Sequence, residues 1–388
     1  MPASRRAFLK KASTLTALSY SRVQGANERI RIAGLGCGGR GQYLLGLARQ
    51  APGTEIVAVC DVYEPRRAQT RAKFAASAQE YVDYLRVLER KDIDAVIIGS
   101  PDHWHVPMSI DAVRAGKDVY VEKPLTKTIE EGPLVEKAVA ETGRIVQVGY
   151  QQRSWDHFRM ARDVIAAGKL GKITLVLSSW YQNYLRYDPK PTVDAAQLDW
   201  KRWLGSAPDQ PVNALRYHRW RWFWDFGGGH LTDLHSHYGD VIHWFLNADT
   251  PLDAQAMGDS YALGYECPDT IAATWHYPGF TLVYTGTLVG HLEGGNIIFR
   301  GSRAMMKINR DGFAVYPEGI VAAEKTNYPD PEIEMRSLHD GSMDHVRNFL
   351  ECIRSRKAPN APVGPAVAAA RAAHLGNLAY RKGARVTA

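Results

Sequence analysis

Cysteine is scarce in this chain. The four present, Cys37, Cys60, Cys267 and Cys352, show no short paired spacing in 388 residues, which excludes a disulfide scaffold and a zinc-finger-type centre. The apolar stretch at residues 12–20 is far too short to span a bilayer, so no stable membrane association is expected. Acid is missing from the first 26 residues, where Arg5, Arg6, Lys10, Lys11 and Arg22 supply five of the seven excess positive charges. The rest of the chain carries only +2, with bases and acids mixed as on solvated helix faces, which predicts no nucleic-acid partner. Repeats and low-complexity segments are absent too. What remains is ordinary globular composition, 45% apolar and 23% charged, long enough for two sizeable cores.

Ser4-Arg5-Arg6-Ala7-Phe8-Leu9-Lys10 resembles a twin-arginine export signal, followed by a mild apolar stretch and small residues at Gly25 and Ala26. Residues 1–26 are therefore assigned as a signal segment, and the expected location is periplasmic or otherwise exported. That route carries folded proteins and suits a cofactor inserted before export.

From Arg29 an alternating, then fully apolar run leads into Gly36-Cys37-Gly38-Gly39-Arg40-Gly41 ahead of a helical stretch at 42–49. Gly36, Gly38 and Gly41 form G-x-G-x-x-G between strand and helix, which supplies a sharp turn, a bare backbone and free N–H groups for a pyrophosphate. A second strand at 55–60 ends at Asp61, 20 residues past Gly41. An acid there accepts the ribose hydroxyls and favours NAD, while Arg66 and Arg67 leave NADP open. Strands at 93–99, 118–122 and 144–149 alternate with helices at 106–115 and 128–142, the pattern of a doubly wound parallel sheet. Ligands sit at the carboxyl ends of such strands, so residues 100–105, 122–124 and 150–153 should share one rim with the glycine loop.

Four motifs in order resemble the glucose-fructose oxidoreductase, inositol dehydrogenase and MocA (Gfo/Idh/MocA) family: the Gly36 loop; Ser100-Pro101-Asp102-His103-Trp104-His105; Glu122-Lys123-Pro124; and Gly227-Gly228-Gly229-His230 through Asp233 and His237. The resemblance implies an α/β protein with a Rossmann domain at 27–150. It also implies a second α/β domain at 151–388 with an open, mostly antiparallel sheet, used for substrate binding and for forming homo-dimers or homo-tetramers. It further implies NAD(P)-dependent hydride transfer on a sugar or polyol, with Lys123 touching substrate and nicotinamide and a cis bond before Pro124. The expected cofactor contacts are Gly36, Gly38, Gly39, Arg40, Gly41, Asp61, Ser100, Pro101, His103, His105, Glu122 and Lys123.

In the second half, residues 229–246 read as a helix, and at 100° per residue His230, Asp233, His237 and Asp240 fall within about 80° of arc, with His235 opposite. The family's D-x-x-x-H pair carries over as Asp233 and His237, with His237 the base for the substrate hydroxyl and Asp233 orienting substrate or imidazole. His230, Asp233 and His237 equally fit the donor types of a metal site, and a structural role for His230 and Asp240 competes with both. Substrate contacts are expected from Lys123, Trp104, Tyr150, Arg153, Arg221, Trp222, Asp233 and His237, the aromatic loop at 217–226 stacking on sugar faces or packing as core. Strands are expected across 251–315 with a turn at Tyr277-Pro278-Gly279, a loop at 318–338, and closing helices at 345–356 and 365–382.

The reading at this point is an exported oxidoreductase with a tightly held cofactor, since free NAD is scarce outside the cytoplasm. An NAD-dependent glycoside hydrolase or epimerase working by transient oxidation, and a non-catalytic sugar or nucleotide sensor, are its rivals.

Overall fold

A computed structural model describes residues 29–74, 76–187, 190–318 and 328–388. The expected signal segment at residues 1–26 lies outside the described residues.

Six parallel strands form the first sheet: β1 (Ile30–Leu35), β2 (Thr54–Cys60), β3 (Gln79–Tyr81), β4 (Ala95–Ile98), β5 (Asp118–Val121) and β6 (Val146–Val148), in the order β3-β2-β1-β4-β5-β6. The strands are apolar and buried on both faces, as a parallel sheet covered by helices requires. One face packs against α1 (Gly39–Gln50), the other against α4 (His105–Arg114) and α5 (Glu131–Thr142); α2 (Glu64–Phe74) and α3 (Tyr84–Leu88) complete the crossovers. Strand order reverses between β1 and β4, which opens a crevice at their carboxyl ends.

The second sheet has nine strands in the order β14-β13-β12-β11-β7-β10-β9-β8-β15, and only the β7–β10 pair is parallel. Its strands are β7 (Ile173–Tyr181), β8 (Asp253–Asp259), β9 (Thr270–Tyr277), β10 (Phe280–Thr287), β11 (Gly295–Gly301), β12 (Ala304–Ile308), β13 (Gly312–Pro317), β14 (Ile333–Arg336) and β15 (Val386–Thr387). Burial alternates along β9, so one face is core and the other open. The core face packs on α6 (Asp156–Ala166), α9 (Ser236–Leu246) and the second half of α11 (Val363–Lys382). Short helices α7 (Trp200–Leu204) and α8 (Ala214–His218) lie in the long connection from β7.

One expectation is corrected. The loop expected at 318–338 contains β14, a four-residue edge strand paired with β13, whose Glu334 and Arg336 disguise it as loop. Helices from the end of the chain also pack on those of the first sheet: α10 (Ser342–Ser355) buries Val346, Phe349 and Leu350 against α1, and the start of α11 buries Val363 and Ala366 against α5.

Candidate active site

Gly36 leaves β1 with φ of +87°, and a Cβ there would lie 2.6 Å from the Ser100 nitrogen; at Gly41 it would lie 2.0 Å from the Gly36 carbonyl. These two positions are therefore closed to any side chain, and they press the β1–α1 turn against the end of β4. Gly38 and Gly39 face open space instead, with no protein atom nearer than Arg66 Nη1 at 3.8 Å, and no side chain caps the N-terminus of α1. A bare backbone with free N–H groups at a helix start fits a pyrophosphate. Asp61 at the end of β2 is fixed by backbone donors, accepting Cys37 N–H at 2.7 Å and Tyr63 N–H at 2.9 Å.

Gly41 packs behind the loop on the Gly36 carbonyl, while Gly36, Gly38, Gly39 and Asp61 line a cavity of about 580 Å³, within the range of small-molecule and cofactor sites. Ser100, Pro101, Trp104 and Arg40 line it from the first domain, and Trp203, Arg219, Trp220 and Arg221 from the β7 connection. That connection is anchored by a β-bridge between Tyr63 and Leu198, by Trp104 Nε1 donating to the Trp203 carbonyl at 3.0 Å, and by a cluster around Trp200, Trp203, Tyr217 and Phe226.

The second part of the site is an ion triad in which Lys123 and Asp233 are buried and Arg221 is partly exposed. Lys123 follows β5 and precedes a cis peptide bond to Pro124, as expected from the motif. Its Nζ donates to the Asp233 carbonyl at 2.5 Å and to Asp233 Oδ1 at 2.7 Å, and Arg221 Nε donates to the same oxygen at 3.1 Å. A Cβ on Gly227 would sit 2.8 Å from Arg221 Cα, so only glycine there lets the arginine fold back onto Asp233. Burial would raise the Asp233 carboxyl, but Lys123 and Arg221 outweigh it and hold the group at about 2. His237 stacks on Trp180, ring centroids 5.5 Å apart at 17°, and its Nδ1 is sealed without a partner. Burial first, then the charges of Lys123, Arg310, Arg40 and Arg221, keep this imidazole well below its ordinary value, hence neutral.

The expected single arc of four groups is corrected by a π-turn at Leu231–His235 ahead of α9. Its wider turn shifts the helical phase, and such distortions recur at functional sites. Asp233 stays with Lys123 and the cavity-lining Arg221, and His237 stays against Trp180. His230 instead packs its ring nitrogens against Tyr284 Oη at 3.1 Å and the Asp269 carbonyl at 3.2 Å, which removes it from a shared metal site. Asp240 accepts Arg153 Nε at 2.8 and 3.0 Å in a sealed pair, so Arg153 serves that carboxylate rather than a ligand.

Other expected site residues are placed elsewhere as well. Trp222 and Tyr150 are buried, Trp222 in a small core with Leu234 and Leu288, and neither lines the cavity. His103 Nε2 lies 3.0 Å from the Trp203 carbonyl, and both His105 nitrogens lie against the carbonyls of Pro124 and Ser100, tying the two rim loops together. Glu122 accepts Arg40 Nε at 2.8 Å and so positions a cavity-lining arginine. Sequence reasoning missed Trp180, Arg310 and Asp102. Asp102 is buried with Oδ1 unpartnered, and burial together with the Asp233 charge pushes its carboxyl up to about 8. Its place in the Ser100–His105 motif was the available signal; Trp180 and Arg310 had none.

Comparisons with known proteins give the family. Residues 30–150 match the Gfo/Idh/MocA model described as an oxidoreductase family NAD-binding Rossmann fold, and residues 179–387 match that family's C-terminal α/β domain. The chain belongs to the Gfo/Idh/MocA oxidoreductase family. It is 38% identical over 347 residues to the scyllo-inositol 2-dehydrogenase (NAD(+)) of Bacillus subtilis, covering 86% of this chain and 88% of that one. In fold it is similar to a levoglucosan dehydrogenase solved with NADH and levoglucosan (TM-score 0.72, 18% identity, 92% and 99% of the two chains). It is similar also to the WlbA dehydrogenase of Bordetella pertussis solved with NADH and UDP-GlcNAcA (TM-score 0.71, 19% identity, 93% and 99%). This Gfo/Idh/MocA chain is thus an NAD-dependent oxidoreductase, and the open glycine cradle with the buried, unpartnered Ser100 Oγ fits that cofactor.

Proposed function

We propose that this chain oxidises or reduces a CH–OH carbon of a sugar or polyol, retaining its NAD through the cycle. Bound NAD supplies the chemistry of accepting or returning hydride at the nicotinamide. Gly38, Gly39 and the α1 N-terminus would hold the pyrophosphate, and Asp61 the adenosine ribose.

His237 is the proton acceptor for the substrate hydroxyl. Its Nδ1 is sealed, which leaves Nε2 to meet substrate, and a neutral imidazole is the form a base requires. Lys123 holds the oxygen as negative charge develops on it, and Asp233, tied to both Lys123 and Arg221, fixes the ammonium in place. The observation that carries this reading is the Lys123–Asp233–Arg221 group, with His237 on the same helical segment stacked on Trp180 and its Nδ1 without a hydrogen-bond partner. Retention of all three groups argues against a sensor with no chemistry.

The β7 connection walls the cofactor cavity with Trp203, Arg219 and Trp220, which supports a held cofactor. A held cofactor favours a closed redox cycle, either exchange between two sugars or transient oxidation that permits glycoside cleavage or epimerisation. Export by the twin-arginine route is part of this proposal and accounts for the need to retain NAD. Association through the open face of the nine-stranded sheet into a homo-dimer or homo-tetramer is proposed alongside it.

The test is to purify the protein without added nucleotide, denature it, and measure released NAD(H) or NADP(H) by absorbance and mass spectrometry. Near-stoichiometric NAD(H) is expected. An empty protein that turns over only with added NAD would leave an ordinary dehydrogenase and remove the closed cycle.

A further inference from the structure

The cations near His237 are not equally compensated. Lys123 and Arg221 share Asp233, and Arg40 has Glu122. Arg310, in the turn between β12 and β13, has no ion pair or hydrogen bond among the described residues, and its Nε is buried without a partner. Its guanidinium carbon lies 4.9 Å from the centroid of the Trp180 ring, the same ring that stacks on His237.

Arg310 lines two cavities. One, of about 370 Å³, includes Trp180, Tyr238, Glu293 and Asp311; the other, of about 430 Å³, includes Arg40, Gln151, Trp155 and Asp340. Gly39 and Arg40 line both this second cavity and the cofactor cavity, so the two adjoin. Asp340 is already engaged, accepting Tyr43 Oη at 3.0 Å, Ser342 N–H at 2.9 Å and Ser342 Oγ at 2.7 Å. A partly buried guanidinium with no direct partner, faced only at longer range by Asp340, is costly unless something anionic meets it, and its planar fork matches a carboxylate or phosphate.

We propose that Arg310, with Arg40 beside it, is the specificity determinant for an anionic group on the substrate, so that the sugar or polyol carries a carboxylate or phosphate. This rests on the redox reading of the site for the identity of the ligand, but the anion subsite itself can be measured separately.

The test compares D-glucuronate and D-glucose 6-phosphate with D-glucose on the holoenzyme, following both tryptophan fluorescence as a binding signal and nicotinamide absorbance as a redox signal. The wild type is expected to bind one of the anions at least ~10-fold more tightly than glucose. Arg310→Gln should lose ~10–100-fold for that anion and change glucose binding by under about threefold, with Arg310→Lys recovering part of the loss. Preference for glucuronate assigns a carboxylate, and preference for the phosphate ester assigns a phosphate. Equal binding of charged and neutral sugars, or an unchanged preference in Arg310→Gln at unaltered circular dichroism, overturns the proposal. Loss of bound NAD(H) from Arg310→Gln also overturns it, since Arg310 would then serve the cofactor. Anion binding that depends on Arg310, with no nicotinamide signal from any sugar or polyol, would leave the subsite standing and sink the redox reading instead.

Discussion

Two buried cation–carboxylate pairs stand seven residues apart on the same helical segment. Asp233 meets Lys123 and Arg221, and Asp240 meets Arg153 alone. Both carboxylates are buried, yet burial wins at Asp240, whose carboxyl is raised despite Arg153, and loses at Asp233, which is held at about 2 by two cations. The second cation is the difference, and it arrives on the aromatic loop that Gly227 allows to fold back. Burial therefore does not mark a functional carboxylate; surplus charge beside a cavity does.

Breaking the site pair should affect chemistry most. Lys123→Ala is expected to lower kcat/KM by ~10²–10⁴-fold with the fold retained, measured by steady-state kinetics beside circular dichroism. Breaking the sealed pair should affect stability instead: Arg153→Ala leaves Asp240 buried and uncompensated, for a loss of ~3–5 kcal/mol in denaturant unfolding. A loss of activity from Arg153→Ala in protein of normal stability would erase the distinction between the pairs.

Acid sharpens the comparison further. The Asp233 carboxyl is lowered on folding, so the stability it contributes is present above the unfolded value near 4 and is lost as pH falls toward about 2. Asp233→Asn should accordingly cost roughly 2 kcal/mol more at neutral pH than at the acid end of that window, read from urea midpoints. At Asp240 the shift is upward, so linkage runs the other way: its favourable contribution is complete at low pH and fades as pH rises through the raised value. The smallest effect expected is on the pH profile, where the acidic limb of kcat/KM should lie well below the ordinary histidine value because His237 stays neutral there. A limb at the ordinary value would assign the proton to another group.

The cofactor side of the site was legible because its determinants are local. Gly36 and Asp61 follow strand ends and Gly41 lies in the first turn of α1, where the turn needs a bare backbone and the next strand places an acid at a set spacing. Asp233, His237 and Lys123 were reachable through motif order. Helical periodicity failed around them, because the π-turn at Leu231–His235 sent His230 to Asp269 and Asp240 to Arg153. Trp222, read from its aromatic neighbours as a sugar platform, is core, since composition does not say which face of a loop is covered.

Alternation of strands and helices, the glycine turn and the Lys123–Pro124 motif were decided by the sequence itself, because each depends on backbone conformation or on neighbours a few residues away. Tertiary structure alone decided how the charges are compensated: Asp233 gained two cations and Asp240 one, while Arg310 has no carboxylate at ion-pair distance among the described residues. Electrostatic energy depends on distance through a low-dielectric interior, and spacing along the chain does not set those distances: Arg221, Arg153 and Lys123 meet their carboxylates from 12, 87 and 110 positions away.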